Sequence, residues 1–148
     1  MENTFYISGG RGSLGIDLIN QLNKENLIIY LQRDPKNRYY VLDKKEILDT
    51  AYLLHLASAT PHNSKDSMGY MSNPRTLIKA MQYLQKKVAN LHVIFTSGMS
   101  VYDPKHCVHK ITEQTSLKNG RIYRNDYGYS KILCEKLLAK YHKIGLIK

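Results

Sequence analysis

The fold is decided near the start of the chain, by Thr4-Phe5-Tyr6-Ile7-Ser8-Gly9-Gly10-Arg11-Gly12-Ser13-Leu14-Gly15. An apolar, strand-like run leads here into a turn that holds four of the nine glycines, spaced Gly9-x-x-Gly12-x-x-Gly15. Apolar residues at helical spacing follow, and then a second apolar run, Leu27–Leu31. In this order, the glycine turn lets the backbone come close to a pyrophosphate because no side chains are in the way. The N-terminus of the following helix offers free N–H groups and the positive end of the helix dipole to that anion. The segment therefore predicts dinucleotide binding; the alternative that a glycine pattern leaves open is a tight turn with no ligand.

Strand-like and helix-like segments alternate along the rest of the chain. The predicted strands are Thr4–Ser8, Leu27–Leu31, Arg38–Leu42, Tyr52–Ala57 and His92–Ser97, and Ile144–Ile147 could begin one more. The predicted helices are Ser13–Lys24, a short turn over Lys44–Asp49, Pro74–Val88 with Asn73 before its first turn, and Asp126–Lys143 with Asp126 as its cap. This order predicts an α/β fold, a Rossmann-like doubly wound parallel sheet with helices on both faces. The glycine turn, the loop after Ala57 and the segment Thr96–Tyr102 all follow strands, so we expect them to meet in one crevice.

Length and composition limit the classes of protein to which this chain can belong. The 148 residues suffice for one domain, and no apolar run approaches the roughly 20 residues that span a bilayer. The first strand begins almost at Met1, without a leader, so we expect a cytoplasmic protein without a membrane partner. A formal net charge of +10 favours anionic partners such as cofactor phosphates, nucleotide-sugars or nucleic acid. The lysines are scattered over predicted helix faces, which favours a solvated surface over a dedicated nucleic-acid patch.

The thiols and imidazoles do not form a metal-binding pattern. Cys107 and Cys134 lie far apart and are expected to be free thiols. The cluster His106-Cys107-x-His109 lacks a second group of ligands, so no metal is expected.

A possible proton-transfer pair lies near the end of the chain, at Tyr127 and Lys131. Four residues apart on a helix, they share one face, and an ammonium beside a phenol favours the phenolate. Such a tyrosine can exchange a proton with a substrate hydroxyl while hydride moves to or from nicotinamide. Tyr40/Lys44 and Tyr83/Lys87 have the same spacing. What distinguishes Tyr127 and Lys131 is their place at the start of a helix, after a long loop that follows a serine-rich strand end.

Four segments together resemble the extended short-chain dehydrogenase/reductase family, the NAD-dependent epimerases and dehydratases of nucleotide-sugars. Ile7–Gly15 is similar to the family's TGGxGxxG turn, and His55–Ala59 is similar to its HLAA segment beside adenine and ribose. Val93–Tyr102 is similar to the strand that runs into SSxxVYG, and Tyr127 through Lys131 to Glu135 is similar to YxxSKxxxE. The four motifs occur in the family's order over nearly the whole chain.

The resemblance implies a role for each matched residue. Tyr127 would be the acid/base, and Lys131 would hold the nicotinamide ribose and tune Tyr127. Arg33 follows the second strand, where a basic residue would favour the 2′-phosphate of NADP, although Asp34 beside it keeps the choice between NAD and NADP close to even. The residues that would contact the cofactor are Gly9, Gly10, Arg11, Gly12, Ser13, Leu14, Gly15, Arg33, Leu56, Ala57, Ser58, Tyr127 and Lys131.

The chain departs from the family pattern in three places. The family's catalytic Ser or Thr, three residues before the Val of VYG, is replaced by Gly98, and Ser97 and Ser100 are the flanking candidates for its role. The stretch between the second strand and His55 is short, so one crossover helix is expected to be reduced to a turn. The sequence ends at Lys148, so we expect a single NAD(P)-binding domain over residues 1–148, incomplete at its C-terminal end and without the family's C-terminal substrate domain.

Three functions remain open from the sequence, and the third, a nucleic-acid-binding protein, is favoured only by the net charge of +10. The first is an NAD(P)-binding oxidoreductase or epimerase/dehydratase domain that acts on a nucleotide-sugar, or on a related hydroxyl or carbonyl, through Tyr127 and Lys131. The second is a catalytically incomplete NAD(P)-binding module, either a sensor or a partner subunit. The resemblance also suggests a homodimer through the helices Pro74–Val88 and Asp126–Lys143.

Overall fold

A computed structural model describes residues 3–22, 24–33, 39–40, 48–60, 67–102, 111–112, 114–115 and 127–148. The strands are β1 (Asn3–Ser8), β2 (Asn26–Tyr30), β3 (Gln32–Arg33), β4 (Tyr39–Tyr40), β5 (Leu48–His55) and β6 (Val88–Phe95). The helices are α1 (Ser13–Leu22), α2 (Ser67–Tyr70), α3 (Ser72–Leu84) and α4 (Tyr127–Lys143), with a 3₁₀ turn at Met99–Val101.

Four strands form one parallel sheet in the order β2-β1-β5-β6, and β3 and β4 form a separate antiparallel pair. β2 therefore pairs with one side of β1, and β5 later pairs with its other side. Lys148 lies beside β6, where its N–H donates to the carbonyl of Leu91 and its own carbonyl accepts from Val93 N–H. This is the bonding pattern of parallel strands. Lys148 directly follows Ile144–Ile147, the segment that could begin one more strand, and that segment itself forms no strand.

Alternating side chains of the strands build a core on each face of the sheet. Tyr6 and Leu53 point toward α3 and α4, in a cluster that includes Leu77. Their sequence neighbours Ile7 and Leu54 point the other way and pack with α1. This alternation is the period of a strand buried on both faces. It confirms the predicted α/β fold with helices on both sides of a parallel sheet.

Among the boundaries that differ from the sequence prediction, two differ for the same reason. Leu48 and Asp49 were assigned to a helical turn but begin β5, and Val88 was assigned to the end of a helix but begins β6. Leu48 and Val88 are paired across the two strands, and Leu48 N–H donates to the carbonyl of Lys87 at 2.7 Å. Strand pairing thus overrides the local helical pattern. The other residues of the expected turn, and the proposed cap Asp126, lie outside the described residues.

Candidate functional site

The candidate site lies where the strand order reverses, between the carboxyl ends of β1 and β5. Beyond the paired strands, Leu56 N–H donates to the carbonyl of Ser8 at 2.9 Å, which holds the two departing loops side by side. In an open parallel sheet this point is a crevice because the two connections leave in opposite directions. The glycine turn and the segment after His55 therefore form its two walls.

The glycine turn has a geometry that side chains would obstruct. Gly9 has a φ of +83°, and a Cβ there would lie 2.5 Å from the backbone nitrogen of Ala57. A Cβ on Gly15 would lie 2.7 Å from the α-carbon of Gly10, so its absence lets α1 start against the turn. Among the described residues, a Cβ on Gly12 would have one neighbouring atom within 4 Å, the carbonyl oxygen of Gly9 at 3.4 Å. Two of these glycines thus permit close packing, whereas Gly12 faces open space.

That open space is a crevice of about 480 Å³. Its lining residues are Gly9, Gly12, Leu56, Ala57, Ser58, Ala59, Ser72, Asn73 and Thr76. Five predicted cofactor residues are among them: Gly9, Gly12, Leu56, Ala57 and Ser58. Of the others, Arg11, Ser13 and Leu14 are exposed around the start of α1, while Gly10 is buried beneath the ring of Tyr30. The backbone of Arg33 pairs with Tyr39 in the small antiparallel sheet.

Asn73 is a site residue that the sequence analysis assigned a different role. It was expected to precede its helix as an N-terminal residue, but it lies within the first turn of α3 and is only 3% exposed. Its side-chain oxygen accepts the N–H of Ala59 at 2.7 Å, and its amide nitrogen donates to the Ala59 carbonyl at 3.1 Å and to Ser130 Oγ at 3.0 Å. Ser130 Oγ in turn donates to the carbonyl of Tyr127 at 2.7 Å. Asn73 therefore joins the crevice wall to the first turn of α4.

A second polar pair lies beneath the crevice. Ser8 Oγ and His55 Nδ1 are 2.7 Å apart, and both residues are buried. They end the two central strands, so their hydrogen bond fixes the strand ends from which both walls of the crevice depart. The imidazole of His55 also stacks on Phe95 of β6, with ring centroids 6.3 Å apart.

Tyr127 and Lys131 lie on the first turns of α4, as predicted. Lys131 is 2% exposed, and its Nζ donates to the carbonyl of Thr96 at 2.7 Å. The same Nζ lies 4.6 Å from the ring centroid of Phe95 and 5.5 Å from that of Tyr127. Burial lowers the pKa of Lys131, partly opposed by the neighbouring Cys134 and Glu135. An aromatic ring from α2, that of Tyr70, meets the ring of Tyr127 edge-on at 6.0 Å.

The two candidate hydroxyls beside Gly98 have different surroundings. Ser97 Oγ is exposed and donates to the carboxylate of Glu135. Ser100 Oγ is buried, and among the buried side-chain polar atoms of the described residues it is the one without a hydrogen-bond partner. Ser100 packs against the start of α4, because a Cβ on Gly128 would lie 2.1 Å from the Ser100 carbonyl oxygen. The 3₁₀ turn and the helix that carries Tyr127 therefore touch through a glycine.

No three potential metal-ligating side chains lie together within the described ranges. The cluster His106-Cys107-x-His109 lies outside the residues that the structure describes. Cys134 is a buried free thiol. In the same part of the chain, no helix is long and apolar enough to cross a membrane.

Solved structures share this fold. UDP-N-acetylglucosamine 4-epimerase from Bacillus cereus matches with a TM-score of 0.69 at 20% sequence identity, over 96% of this chain and 50% of that one. A UDP-N-acetylglucosamine 4-epimerase from Methanobrevibacter ruminantium M1, in complex with UDP-N-acetylmuramic acid, matches with a TM-score of 0.68 at 19% identity, over 97% and 52%. The dTDP-glucose 4,6-dehydratase from Bacillus anthracis str. Ames, in complex with NAD, matches with a TM-score of 0.61 at 19% identity, over 98% and 52%. No protein-family model and no curated protein matches the sequence.

These comparisons define the class of fold. The chain has the Rossmann-like α/β fold of these two epimerases and this dehydratase, and it spans about half the length of those structures. The resemblance that the four motifs indicate is thereby confirmed at the level of the fold.

Proposed function

We propose that this chain binds a nicotinamide dinucleotide, with the pyrophosphate against the glycine turn. The observation that carries the proposal is the bare main chain of Gly9 and Gly12 on one wall of the crevice, facing Ala57 on the other. The N-terminus of α1 follows directly, and free N–H groups at a helix N-terminus attract phosphate. The fold neighbours support the choice of ligand, since the Bacillus anthracis dehydratase was solved with NAD. Among the described residues, a Cβ at Gly12 would meet one atom, the Gly9 carbonyl oxygen, and this space beside bare main chain fits a group held by backbone.

The choice between NAD and NADP depends on Arg33. A guanidinium near the adenine ribose would pair with a 2′-phosphate, which favours NADP. The net charge of +10 supports an anionic ligand of either kind. We therefore propose a modest preference for NADP.

The chemistry that we propose is proton transfer by Tyr127 beside a substrate carbon that exchanges hydride with the cofactor. A bound nicotinamide supplies or accepts that hydride. Tyr127 gives its phenolic proton to a substrate carbonyl oxygen, or takes one from a hydroxyl, and the Lys131 ammonium stabilises the phenolate. The Thr96 carbonyl holds Lys131 Nζ in place, and Asn73 and Ser130 fix the turn that carries Tyr127.

The substrate class that we propose is a nucleotide-sugar. The support is the likeness to the two epimerases and the dehydratase, whose names specify UDP- and dTDP-linked sugars. The predicted homodimer, through the helices Pro74–Val88 and Asp126–Lys143, remains part of the same proposal.

A second candidate is a cofactor-binding module without turnover. Gly98 favours it, because this position has no side chain where the family pattern has a hydroxyl. A module of this kind would bind the reduced cofactor and transfer no hydride.

A single-turnover hydride-transfer assay distinguishes the two candidates. The chain is saturated with NADPH or NADH and mixed with 4-keto nucleotide-sugars, or saturated with NADP⁺ or NAD⁺ and mixed with the parent nucleotide-sugars, and nicotinamide absorbance is followed. Tyr127→Phe should abolish transfer and leave cofactor affinity within about twofold. Tyr83→Phe is the matched control, since Lys87 Nζ lies 5.6 Å from the Tyr83 ring on α3, a similar pairing away from the crevice. Full activity in Tyr127→Phe would contradict the assignment, and cofactor binding without transfer by the wild-type chain would favour the module.

A further inference from the structure

We propose that the outer faces of α3 and α4 together bind the phosphate backbone of duplex nucleic acid. Their exposed residues are not among those that line the crevice. The inference therefore goes beyond the proposed function and does not depend on it. The sequence predicts lysines scattered over separate helices, whereas the fold packs these two helices side by side.

The first argument is the chemistry of the exposed side chains. The exposed residues of α3, of the turn that follows it and of α4 include six lysines or arginines, and none of them is acidic or large and apolar. We name this set the basic surface; its members are Arg75, Lys79, Gln82, Lys86, Lys136, Ala139, Lys140, His142 and Lys143. α3 contains no acidic residue, and the one in α4, Glu135, bonds to Ser97 Oγ. The two helices thus present cations without exposed carboxylates of their own.

The second argument is the arrangement of the two helices. Both contribute to the core cluster on the same face of the sheet. Asn73 Nδ2 donates to Ser130 Oγ in their first turns, and Gln85 Nε2 donates to the Leu146 carbonyl at 3.2 Å just beyond their ends. The helices therefore run parallel, and their outer faces form one side of the molecule.

The register of the helices places cations at equal heights. The hydrogen-bonded pair that joins the first turns is 57 residues apart in sequence. Two pairs of lysines have the same separation, Lys79 with Lys136 and Lys86 with Lys143. Because neighbouring helix axes lie about 8–10 Å apart and seven helical residues advance about 10 Å, these four lysines mark a patch about 10 Å on each side. Several cations of one patch of this size can contact phosphates of the same duplex.

The third argument is the uneven distribution of charge. In the part of the chain that the structure describes, the other acidic residues are Asp17 in α1, Glu25 beyond it and Asp49 at the start of β5. α1 packs on the opposite face of the sheet, where Arg11 and Lys24 balance the first two. The described residues around α1 are thus balanced in charge, whereas the basic surface carries an excess of positive charge.

The composition of the basic surface fits a duplex better than a protein or a membrane. The core of a protein interface is depleted in lysine and depends on aromatic or aliphatic anchors, which the basic surface does not expose. A helix that lies on a membrane needs an exposed apolar face, and the exposed Ile144 and Leu146 lie beyond the end of α4. Single strands are held by aromatic rings on which bases stack, and none is exposed on these helices. A duplex, with one phosphate charge per about 1.7 Å of its axis, needs cations alone.

The basic surface opposes the predicted homodimer. An isologous contact through the outer faces of these helices would place the basic surfaces of two copies against each other. Like charges brought together in this way weaken association. The duplex and the homodimer therefore compete for the same helices, so the oligomeric state of the chain distinguishes them.

Fluorescence anisotropy of a labelled duplex, titrated with the full chain at several salt concentrations, tests the proposal. With about four to five phosphate contacts, affinity should fall about 10²- to 10³-fold between about 50 and 200 mM salt. Lys79→Gln or Lys136→Gln should each weaken binding about five- to tenfold near 0.1 M salt and lower the salt slope by about 1. Lys24→Gln is the matched control, since it removes the same charge in the turn after α1 and should change affinity by less than about twofold.

Two further probes test the chemistry of the partner. Poly-glutamate carries one charge per residue, about 3.5 Å of extended chain, so it has a lower charge density than a duplex and should bind at least about tenfold more weakly. Vesicles that contain phosphatidylserine should also bind more weakly than the duplex. Binding to either probe as tight as binding to the duplex would assign the basic surface to an acidic protein or to a membrane and overturn the proposal.

Three other results would overturn it. One is an affinity for the duplex that does not change with salt, and another is binding by Lys79→Gln and Lys136→Gln no weaker than by Lys24→Gln. The third is a salt-resistant homodimer, seen by analytical ultracentrifugation, that excludes the duplex. Circular dichroism should show all three variants folded, because exposed substitutions of this kind change stability little.

Cofactor titration separates this inference from the proposed function. Lys79→Gln and Lys136→Gln should leave the dissociation constant of NADPH within about twofold, because neither lysine lines the crevice. A chain that binds NADPH but no duplex overturns this inference alone. A folded chain that binds the duplex but neither NADPH nor NADH refutes the proposed function alone.

Discussion

Replacing Gly9 by alanine tests the close approach of the two crevice walls. Gly9 has a φ of +83°, which costs an L-residue about 1–2 kcal/mol. The added Cβ would also lie 2.5 Å from Ala57 N and 2.8 Å from Ala57 Cα. Forcing an extra carbon into packed surroundings costs about 1–3 kcal/mol more. We therefore expect Gly9→Ala to lower the free energy of unfolding by about 2–5 kcal/mol in total.

Two other glycines provide matched controls for this substitution. Gly145 has a φ of +73°, and no atom of the described residues lies within 4 Å of a Cβ built there, so Gly145→Ala should show the backbone cost alone, about 1–2 kcal/mol. This glycine ends α4 in a Schellman motif, since Leu146 N–H donates to the Tyr141 carbonyl and Gly145 N–H to the His142 carbonyl. Gly12→Ala meets only the Gly9 carbonyl at 3.4 Å and should change stability by less than about 1 kcal/mol.

Urea unfolding followed by circular dichroism measures these differences by linear extrapolation. The expected order of loss is Gly9→Ala, then Gly145→Ala, then Gly12→Ala. A loss in Gly9→Ala no larger than that in Gly145→Ala would refute the reasoning, because the facing Ala57 backbone would then impose no constraint.

Three further predictions concern buried groups around the site. Asn73→Ala should lower the free energy of unfolding in urea by about 2–4 kcal/mol, because three hydrogen bonds to Ala59 and Ser130 are lost. The control Asn26→Ala loses one hydrogen bond to a helix carbonyl and should cost about 1 kcal/mol. Equal losses in the two variants would contradict the hydrogen-bond network of Asn73. Burial raises the pKa of Cys134 to about 11, so little of this thiol is ionised in the folded protein at pH 8. It should therefore react with iodoacetamide about two orders of magnitude more slowly in the folded protein than in urea, as followed by peptide mass spectrometry. Comparable rates in the two conditions would contradict its burial. Burial lowers the pKa of Lys131 below its ordinary value of 10.5, so between the two pKa values the unfolded chain binds a proton that the folded chain has released. The free-energy cost of burying the charged amine is fully present below the folded-state pKa, and the free energy of unfolding therefore rises with pH up to about 10.5. Lys131→Met should flatten that rise in urea unfolding at successive pH values, and an unchanged slope would contradict the burial of this charge.

Local patterns were sufficient to predict the sheet and the glycine turn. The signals for β1, the glycine turn and α1 all lie within one short stretch of sequence. These elements could therefore be predicted without knowing which distant residues they contact. The strand ends were harder to predict, because Leu48 and Val88 belong to strands only through their pairing with each other. Such pairing is a tertiary effect that propensity does not contain.

The connections across the site could not be predicted from spacing. Asn73 bonds to Ala59, 14 residues away, and to Ser130, 57 residues away, whereas its position before Pro74 indicated a helix start. Ser97 and Ser100 were equivalent candidates in the sequence. Their surroundings distinguish them, because Ser97 Oγ bonds to the carboxylate of Glu135, whereas Ser100 Oγ is buried without a hydrogen-bond partner among the described residues.

The central claim is that the N-terminal glycine turn holds the pyrophosphate of a nicotinamide dinucleotide. Fluorescence titration of the purified chain with NADPH and NADH tests it directly, with Gly12→Val as the control that fills the crevice beside an intact turn. We expect saturable binding, somewhat tighter for NADPH, and at least tenfold weaker binding in Gly12→Val with the fold retained by circular dichroism. A folded wild-type chain with no affinity for either cofactor, or equal binding by Gly12→Val, would contradict the claim.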